Sequence, residues 1–124
     1  MKLVTNIILD FAKVELLENN IVRLEILDKC VIGEHESREM NTAIGVLTNY
    51  QVARILIVSQ PSTVFDHGAR DFSASDEGLK FTIGDALVVS NLAQRILVSF
   101  YLKFNKPKKP SKAFDNEEDA MAWL

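Results

Sequence analysis

The stretch DALVVSNLAQRILVSFYLKF, residues 85–104, decides the fold of this chain. Residues 86–90 open with a short aliphatic run, which is typical of a strand that is covered on both faces in a parallel sheet. Residues 91–104 then repeat apolar side chains at helical spacing, which predicts a long helix. A buried strand that leads directly into a helix is the repeating unit of layered α/β folds, and we therefore expect such a fold.

The helix predicted at residues 91–104 carries apolar side chains on both of its sides. Val98 and Leu102 fall on one side, next to polar residues such as Arg95. The other side is more strongly apolar, and because side chains on one helical face recur about every 100°, we expect that side to face the core. Its members are Leu92, Ala93, Ile96, Leu97, Phe100, Tyr101 and Phe104. The sequence thus predicts that Val98 and Leu102 form an exposed ridge suited to contact with a partner.

The segments upstream predict the rest of the sheet. Residues 12–17 and 21–27 alternate apolar and charged side chains, which indicates half-buried strands. Asparagines in the connection at residues 18–20 tolerate the positive φ of a tight turn, so the pair is predicted to be an antiparallel hairpin. Residues 53–59 contain a continuous aliphatic run that is typical of a central parallel strand. Residues 1–10 fit either an edge strand or an arm that packs on a neighbour.

Helix signals complete the order of elements. An amphipathic helix is predicted to begin near Glu34, and a second helix to span residues 68–77, with Asp66 as its N-cap and Gly78 as its C′ residue. A short strand is expected near Ala113 and Phe114. The last helix is expected to begin at Asp115, with Glu118 in capping-box spacing, and Trp123 to close it onto the sheet.

The predicted fold class is therefore α/β. The order ββαβαβα, followed by a short strand and a C-terminal helix, indicates a mixed, mainly parallel sheet of about four or five strands with about four helices, opened by an antiparallel hairpin. A chain of 124 residues with 48% apolar residues is expected to form a single domain over residues 1–124.

Charge and cysteine content narrow the class of protein. With 14 basic and 17 acidic side chains the net charge is −3, which offers no field to hold a polyanion, so we expect no nucleic acid partner. The single cysteine, Cys30, cannot form an internal disulfide, and polar residues interrupt the first segment where a signal peptide needs an apolar core. The apolar runs are too short for a transmembrane segment. We therefore expect a reduced, cytoplasmic protein.

The C-terminal residues carry a resemblance to a known family. The stretches FNKP (residues 104–107) and AFDNEEDAMAWL (residues 113–124), together with the predicted order of elements, resemble small bacterial STAS-like domains, which are relatives of anti-sigma-factor antagonists. The resemblance runs from about Ala12 to Leu124, and the topology is also similar to CRAL-TRIO lipid-transfer domains. It implies a STAS-like fold and a role in protein interaction or regulation.

The phosphorylation switch of anti-sigma-factor antagonists is not matched residue for residue. In that family a loop after the third strand leads to Asp-Ser-Ser-Gly, where a serine is phosphorylated to break partner binding. Asp66 and His67 stand near that place, with His67 at the phosphoacceptor position. Ser62 and Thr63 are the alternative acceptors, because a phosphate there would lie close to a helix N-terminus. Their alternative role is ordinary hydrogen bonding within the loop.

A metal or catalytic site is not expected from the histidines. His35 lies between Glu34 and Glu36 with Asp28 nearby, but adjacent residues of an extended segment point to opposite sides, so convergent metal ligands are not expected. A surface histidine at a helix start is the simpler interpretation.

His67, with Asp66 and Asp71, lies at the predicted carboxyl edge of the sheet, where ligands usually bind. It has no nucleophile with a base and an orienting group in register, so helix capping and partner contact are favoured over catalysis. The glycines form no nucleotide-binding motif. We expect no enzymatic activity, no cofactor and no metal.

Lysines concentrate after the third helix, next to its aromatic end. They are candidates for contact with an anionic partner, and the alternative is a solvated loop balanced by the acidic residues between positions 115 and 119. The cluster consists of Lys103, Lys106, Lys108, Lys109 and Lys112.

Two functional hypotheses follow. The first is a non-catalytic STAS-like interaction or regulatory module that binds an unknown protein, or a second copy of itself as a homodimer through the third helix. Its candidate contact residues are Ser62, Thr63, Asp66, His67, Arg95, Val98 and Leu102. The alternative is a carrier or sensor of a small apolar or anionic ligand, held in an apolar pocket between the third helix and the sheet.

Overall fold

A mixed sheet with helices on both faces forms the body of the protein. The computed structural model describes residues 2–27 and 30–124. The elements are β1 (Leu3–Ile8), β2 (Ala12–Leu17), β3 (Ile21–Ile26), β4 (Val31–Ile32), α1 (Glu34–Leu47), β5 (Ala53–Val58), β6 (Val64–Phe65), α2 (His67–Ala74), β7 (Thr82–Val88), α3 (Leu92–Phe104), β8 (Ser111–Phe114) and α4 (Glu117–Trp123).

The main sheet has six strands in the order β1-β2-β3-β5-β7-β8. The pairs β1–β2 and β2–β3 are antiparallel, whereas β3–β5, β5–β7 and β7–β8 are parallel. In the turn between β2 and β3, Asn19 and Asn20 have φ values of 63° and 59°, the conformation for which asparagine is suited. This mostly parallel sheet, opened by an antiparallel hairpin, confirms the predicted fold class.

The sheet contains more strands than the sequence predicted. The first segment, left open between an arm and an edge strand, forms the edge strand β1. The short strands β4 and β6 pair in parallel as a separate sheet, which sequence patterning did not indicate. Strand β7 begins at Thr82 rather than at residue 86, because its polar residues Thr82 and Asp85 interrupt the apolar pattern without interrupting the strand.

Each face of the sheet carries its own core. On one face α1 packs on the hairpin and on β5, and Met40 and Ile44 lie in a cluster with Val14 and Ile55. On the other face α4 inserts Ala120, which is fully buried, against the alternate residues of β5 and β7. Strand β5 is therefore covered on both sides, as its aliphatic run predicted.

Two predicted helix ends are wrong. Helix α2 stops at Ala74, before Gly78, whose amide instead donates a 3.0 Å hydrogen bond to Ser75 Oγ. A Cβ atom at Gly78 would lie 2.0 Å from the Phe72 carbonyl oxygen, so this glycine permits a close approach of the chain and is not the C′ residue. Helix α4 is capped by Asn116, whose Oδ1 accepts a 2.8 Å hydrogen bond from the Asp119 amide, and not by Asp115.

The predicted core face of α3 is wrong for most of its residues, although Leu97 and Tyr101 do face inward. Five of its seven expected core residues are exposed: Ala93, Leu92 by 71%, Ile96 by 60%, Phe100 by 50% and Phe104 by 59%. The buried residues of the helix are Gln94 and Tyr101. Apolar residues occupy more than half of the circumference of α3, so periodicity alone could not decide which part of that arc faces the sheet.

Trp123 is less buried than expected. Its ring lies 5.7 Å from that of Phe114, measured between centroids, so it does pack near the last strand. The residue is nevertheless 38% exposed, and the core on this face is formed by Ala120 and its neighbours.

Candidate functional site

A cavity of about 90 Å³ lies between α3, α2 and the sheet. Strands β5 and β7 form its floor, α3 covers it, and α2 and the segment before it close one side. Its surface is mostly apolar, with a few polar side chains. The lining residues are Ile57, Ser59, Thr63, Phe65, Ala69, Arg70, Ser73, Asp85, Leu87, Val89, Gln94, Leu97, Val98 and Tyr101.

The N-terminal end of α3 is fixed by Gln94, a polar residue on its inner face. The Gln94 amide nitrogen donates to the carbonyl oxygens of Gln60, at 2.7 Å, and Thr63, at 3.2 Å. Its amide oxygen accepts a 2.7 Å hydrogen bond from the Ser90 backbone. Buried polar groups must be hydrogen-bonded, so these contacts turn the Gln94 face of the helix inward.

Further polar contacts hold α3 at both ends. Asn91 caps the helix: its Oδ1 accepts a 2.9 Å hydrogen bond from the backbone N–H of Gln94. Its Nδ2 donates a 3.0 Å hydrogen bond to the Pro61 carbonyl oxygen. At the C-terminal end, the Asn105 side chain donates a 2.8 Å hydrogen bond to Asp71 Oδ1 on α2. The helix thus spans the cavity between two anchored ends.

Asp85 is the acidic residue of the cavity. It lies in the middle of β7, where its backbone amide donates to the Pro110 carbonyl at 2.9 Å, and it is only 9% exposed. Within the described part of the chain, no hydrogen bond or ion pair to its carboxylate is found. Because burial disfavours the charged form, the pKa of Asp85 is raised from 3.8 to about 7.

Tyr101 and Arg70 are the other ionisable residues that line the cavity. Burial, and secondarily the charge of Asp85, raise the pKa of Tyr101 well above its usual value, so its hydroxyl stays protonated. The Arg70 guanidinium donates a 2.7 Å hydrogen bond to the Phe65 carbonyl oxygen. The cavity therefore combines apolar walls with separate acidic, basic and phenolic groups.

Comparisons with known proteins agree with this architecture. Residues 16–124 match a family described as "Domain of unknown function (DUF7793)". The chain belongs to this family. A search of curated protein sequences found no match.

A solved structure with the same fold is that of an uncharacterized protein of the DUF3478 family, with a SpoIIAA-like fold, from Shewanella loihica PV-4. It is similar to this DUF7793 protein with a TM-score of 0.60 and 14% sequence identity, over 100% of this chain and 98% of that chain. At this identity the likeness concerns the fold. The STAS-like, SpoIIAA-like fold implied by the C-terminal residues is thereby confirmed.

The loop residues predicted to be partner contacts differ in their exposure. Ser62 is exposed, whereas Thr63 is only 4% exposed and its hydroxyl accepts a 2.9 Å hydrogen bond from the Gln60 amide. Asp66 caps α2, as predicted, by accepting from the Ala69 amide at 2.9 Å. Thr63 thus belongs to the cavity wall rather than to an accessible surface.

The predicted ridge on α3 is wrong. Val98 lines the cavity, Leu102 is half-buried, and Arg95 forms an ion pair with Asp115. The exposed apolar residues of the helix lie instead on the side expected to face the core. We call this set the apolar stripe; it consists of Leu92, Ile96, Phe100 and Phe104.

The histidines of the DUF7793 protein lie outside the cavity. His67 Nε2 is 3.3 Å from Asp71 Oδ2, and His35 Nε2 is 2.9 Å from Glu39 Oε1, both on exposed helical turns. Asp28, the remaining acid considered near His35, lies outside the described residues. No cluster of metal-ligating side chains is found in residues 2–27 and 30–124. Cys30 is half-buried, with its sulfur 3.9 Å from the Phe11 carbonyl oxygen.

The lysine cluster is exposed next to the C-terminal end of the stripe. Lys103 lies over the Phe104 ring at 5.5 Å, and Lys108 is 3.4 Å from Asp76. Two of the four acidic residues between positions 115 and 119 pair with arginines: Asp115 with Arg95, and Glu117 with an arginine of β3. The remaining members, Lys106, Lys109 and Lys112, are also exposed.

The sequence did not identify Asp85, Gln94 or Tyr101 as site residues. Asp85 could have indicated the site, because an acidic residue next to an aliphatic strand is unusual unless it has a partner or a function. Recognising its inward orientation required the position of β7 in the sheet.

None of the helices in the described ranges is long and apolar enough to cross a lipid bilayer.

Proposed function

We propose that this protein is a non-catalytic STAS-like module that carries or senses a small, mostly apolar ligand, bound in the cavity beneath α3. The observation that carries the proposal is the combination of an apolar cavity with a buried carboxylate, Asp85, that has no hydrogen-bond partner in the described chain. Protein interiors pack like organic crystals and leave few spaces larger than a water molecule. A space of about 90 Å³ with apolar walls and a few polar groups has the lining that is typical of ligand sites, on a small scale.

The volume limits the size of the ligand. One water molecule needs roughly 10–15 Å³ by this kind of measure, and an engineered cavity of roughly 150 Å³ holds benzene. The 90 Å³ beneath α3 therefore suits a short aliphatic body. A longer ligand would place one end in the cavity and the rest at its opening.

The cavity supports binding rather than catalysis. Its hydroxyl-bearing residues are Ser59, Thr63, Ser73 and Tyr101, and no histidine lines it with them. His67, with Asp71, sits on the exposed start of α2. Hydrolytic chemistry needs a nucleophile hydrogen-bonded to a base, and in the described chain none of these hydroxyls is hydrogen-bonded to Asp85.

Paired substitutions on α3 test the ligand site. Val98→Phe adds a ring to the cavity lining, whereas Ile96→Phe enlarges a side chain that is 60% exposed on the opposite side of the same helix. In NMR titrations with short-chain apolar molecules, we expect shifts at Leu87, Leu97 and Val98 in the unmodified protein and in Ile96→Phe. Val98→Phe should abolish them. Equal binding by both variants, or no shifts with any molecule, would exclude the cavity as the site.

A second candidate function is protein interaction through the apolar stripe, and the stripe itself is the observation that favours it. Its aromatic end is compact, with the Phe100 and Phe104 ring centroids 4.3 Å apart. Exposed contiguous apolar surface commonly marks an interaction site. The occupant that fits is a protein with an apolar groove bordered by carboxylates, because Lys103 and the lysines that follow it flank the stripe.

A second copy of the chain fits the stripe less well. Helix α3 contains Arg95 and Lys103 and no acidic residue. A two-fold contact uses the same patch on both subunits. Pairing of two stripes would therefore place cationic helices side by side, which is unfavourable.

Site-specific crosslinking tests this second function. We expect Ile96→benzoylphenylalanine to crosslink in its own cells to a protein with an acidic surface, and Thr42→benzoylphenylalanine, exposed on α1, to give no such product. Adding Lys103→Glu should reduce the yield. A product containing two copies of the chain would instead identify a homodimer, and identical products from positions 42 and 96 would exclude a specific interface.

A further inference from the structure

The carboxylate of Asp85 gives the cavity a chemical preference. Among the described residues it is the single acidic side chain that lines the cavity, on a wall formed with Leu87 of the same strand and Val89 just after it. Burying a carboxylate without a partner is unfavourable, because apolar surroundings do not replace its hydration. A bound molecule that brings a positively charged donor would replace that hydration.

We infer that the cavity selects ligands with an ammonium group on a short apolar body, and that the Asp85 carboxylate is the counter-ion of that group. This inference rests on the proposed ligand-binding function and adds the chemical class of the ligand. The apolar body would contact Ile57, Leu97 and Val98, while the ammonium group would donate to Asp85. Charge-assisted hydrogen bonds of this kind are among the strongest in proteins.

The other groups around Asp85 are consistent with an incoming cation. From α3, Tyr101 contributes a protonated hydroxyl that can accept a hydrogen bond from the ammonium group. From α2, Arg70 donates to the Phe65 carbonyl and forms no ion pair with Asp85. On the side toward α1, Asp85 borders a second pocket whose lining includes Ser37 and Asn41 and no other ionisable residue. No protein cation therefore neutralises Asp85 within the described chain.

The protonation of Asp85 makes the expected affinity depend on pH. Burial raises the pKa of this carboxyl to about 7, so below that pH it is largely neutral without ligand. An ammonium ion prefers the ionised carboxylate, and its binding then releases the proton from Asp85. The affinity for an amine should therefore be highest above about pH 7 and fall by up to roughly tenfold for each unit below it.

Matched probes with the same chain and different head groups test the inference. NMR titrations would compare n-butylamine, n-butanol and butyrate, following the amides of Leu87 and Val98. At about pH 8 we expect n-butylamine to bind at least about tenfold more tightly than n-butanol, because the ammonium group makes a charge-assisted hydrogen bond to Asp85 and the hydroxyl makes a neutral one. Butyrate should bind most weakly, because its carboxylate is repelled by that of Asp85. Asp85→Asn should bring the amine and the alcohol to similar affinity, whereas Asp10→Asn, an exposed acid outside the cavity lining, should leave the preference intact.

The outcomes separate this inference from the proposed function. Equal binding of n-butylamine and n-butanol at the cavity would overturn the role of Asp85 and leave the ligand site in place. The absence of cavity shifts with all the probes would overturn both. If Asp85→Asn fails to fold, the unmodified protein still decides the matter, because the amine affinity must decrease on acidification while that of n-butanol stays constant.

Discussion

At the residue scale, Asp85 and Gly45 show how single side chains are constrained by their packing. Asp85 is a carboxylate held in apolar surroundings on β7, with its pKa raised to about 7 by burial. Gly45 lies in the last turn of α1, and glycine normally weakens a helix. At each position a different residue would be favoured by local preference alone. A substitution at each therefore has an expected effect on the free energy of unfolding.

Asp85→Asn should stabilise the protein at neutral pH. The folded-state pKa of Asp85, about 7, is above the unfolded value of 3.8, so the folded state holds the proton more tightly. The free energy of unfolding of the unmodified protein should therefore lose a contribution as pH rises from about 4 to about 7 and stay level above that. Urea denaturation across this range should show the variant gaining about 1 to 3 kcal/mol above pH 7 and little near pH 4. A difference independent of pH would contradict this account.

Gly45→Ala should destabilise the protein although alanine is the better helix former. A Cβ atom there would lie 2.8 Å from Phe81 Cε2 and 3.0 Å from Phe81 Cζ, in a core where the ring has little room to move. The gain of about 1 kcal/mol in helix propensity is offset by overpacking, for a net loss of about 1 to 3 kcal/mol. Thermal and urea denaturation measure the loss. Adding Phe81→Leu should recover part of it, and equal losses with and without that change would exclude the clash.

At the element scale, α3 shows a polar residue deciding the orientation of an apolar helix. The Gln94 side chain accepts from the Ser90 amide and donates to the carbonyls of Gln60 and Thr63, of which the Thr63 contact is buried and the other two are partly buried. A desolvated donor or acceptor that is left unpaired costs about 1 to 3 kcal/mol, so these contacts favour an inward Gln94. The apolar stripe faces outward as a result, and the cavity lies under Val98 and Tyr101.

Gln94→Ala should therefore loosen α3 at its N-terminal end. Removing the side chain leaves the buried Thr63 carbonyl and two partly buried backbone groups without this partner, which costs about 1 to 3 kcal/mol. Amide hydrogen exchange should become faster in the first turns of α3, and the free energy of unfolding should fall. Gln51→Ala is the matched control, because Gln51 is exposed and makes only a long 3.4 Å contact with the Asn49 carbonyl. Similar effects of both changes would show that Gln94 does not hold the helix.

At the scale of the whole molecule, Arg23 joins the first hairpin to the last helix. Its guanidinium forms a bidentate contact with Glu117 of α4, at 2.8 and 3.0 Å, and also reaches Glu15 at 3.0 Å and Glu25 at 2.7 Å. Contact with Arg23 lowers the pKa of Glu117. The cluster connects β2, β3 and α4 on the face of the sheet opposite the cavity.

Arg23→Met should destabilise the fold by about 1 to 3 kcal/mol at neutral pH, because it leaves carboxylates together without their cation. The folded-state pKa of Glu117 is depressed, so its contribution is present above its unfolded value of 4.5 and is lost as pH falls through the folded value. The loss caused by the substitution should therefore shrink in acid. Chemical denaturation at several pH values measures it, with Arg38→Met, an exposed arginine, as the control of smaller effect. A loss that persists unchanged in acid would point to packing instead.

The order of elements followed from local patterns. Alternation in β2 and β3, the aliphatic run of β5 and the cap at Asp66 each depend on residues close together in the chain, so they could be predicted. The short β4–β6 pair, the burial of Thr63 and the cap at Asn116 depend on neighbours or geometry that patterning does not specify. A pocket between the third helix and the sheet was the alternative of the two hypotheses, and of the candidate site residues only Thr63 and Val98 line the cavity, both of them predicted as partner contacts.

By itself, the sequence determined that this chain forms a mostly parallel α/β sheet opened by a hairpin, because hydrophobic periodicity and turn residues act locally. The tertiary structure alone decided which side of α3 faces inward, since its apolar arc is wide and the choice falls to the hydrogen bonds of Gln94 with distant loops. The same packing placed Asp85 beneath α3, where its carboxylate has no hydrogen-bond or ion-pair partner among the described residues. The apolar stretch at residues 85–104 thus supplies both the wall of the cavity and the exposed stripe.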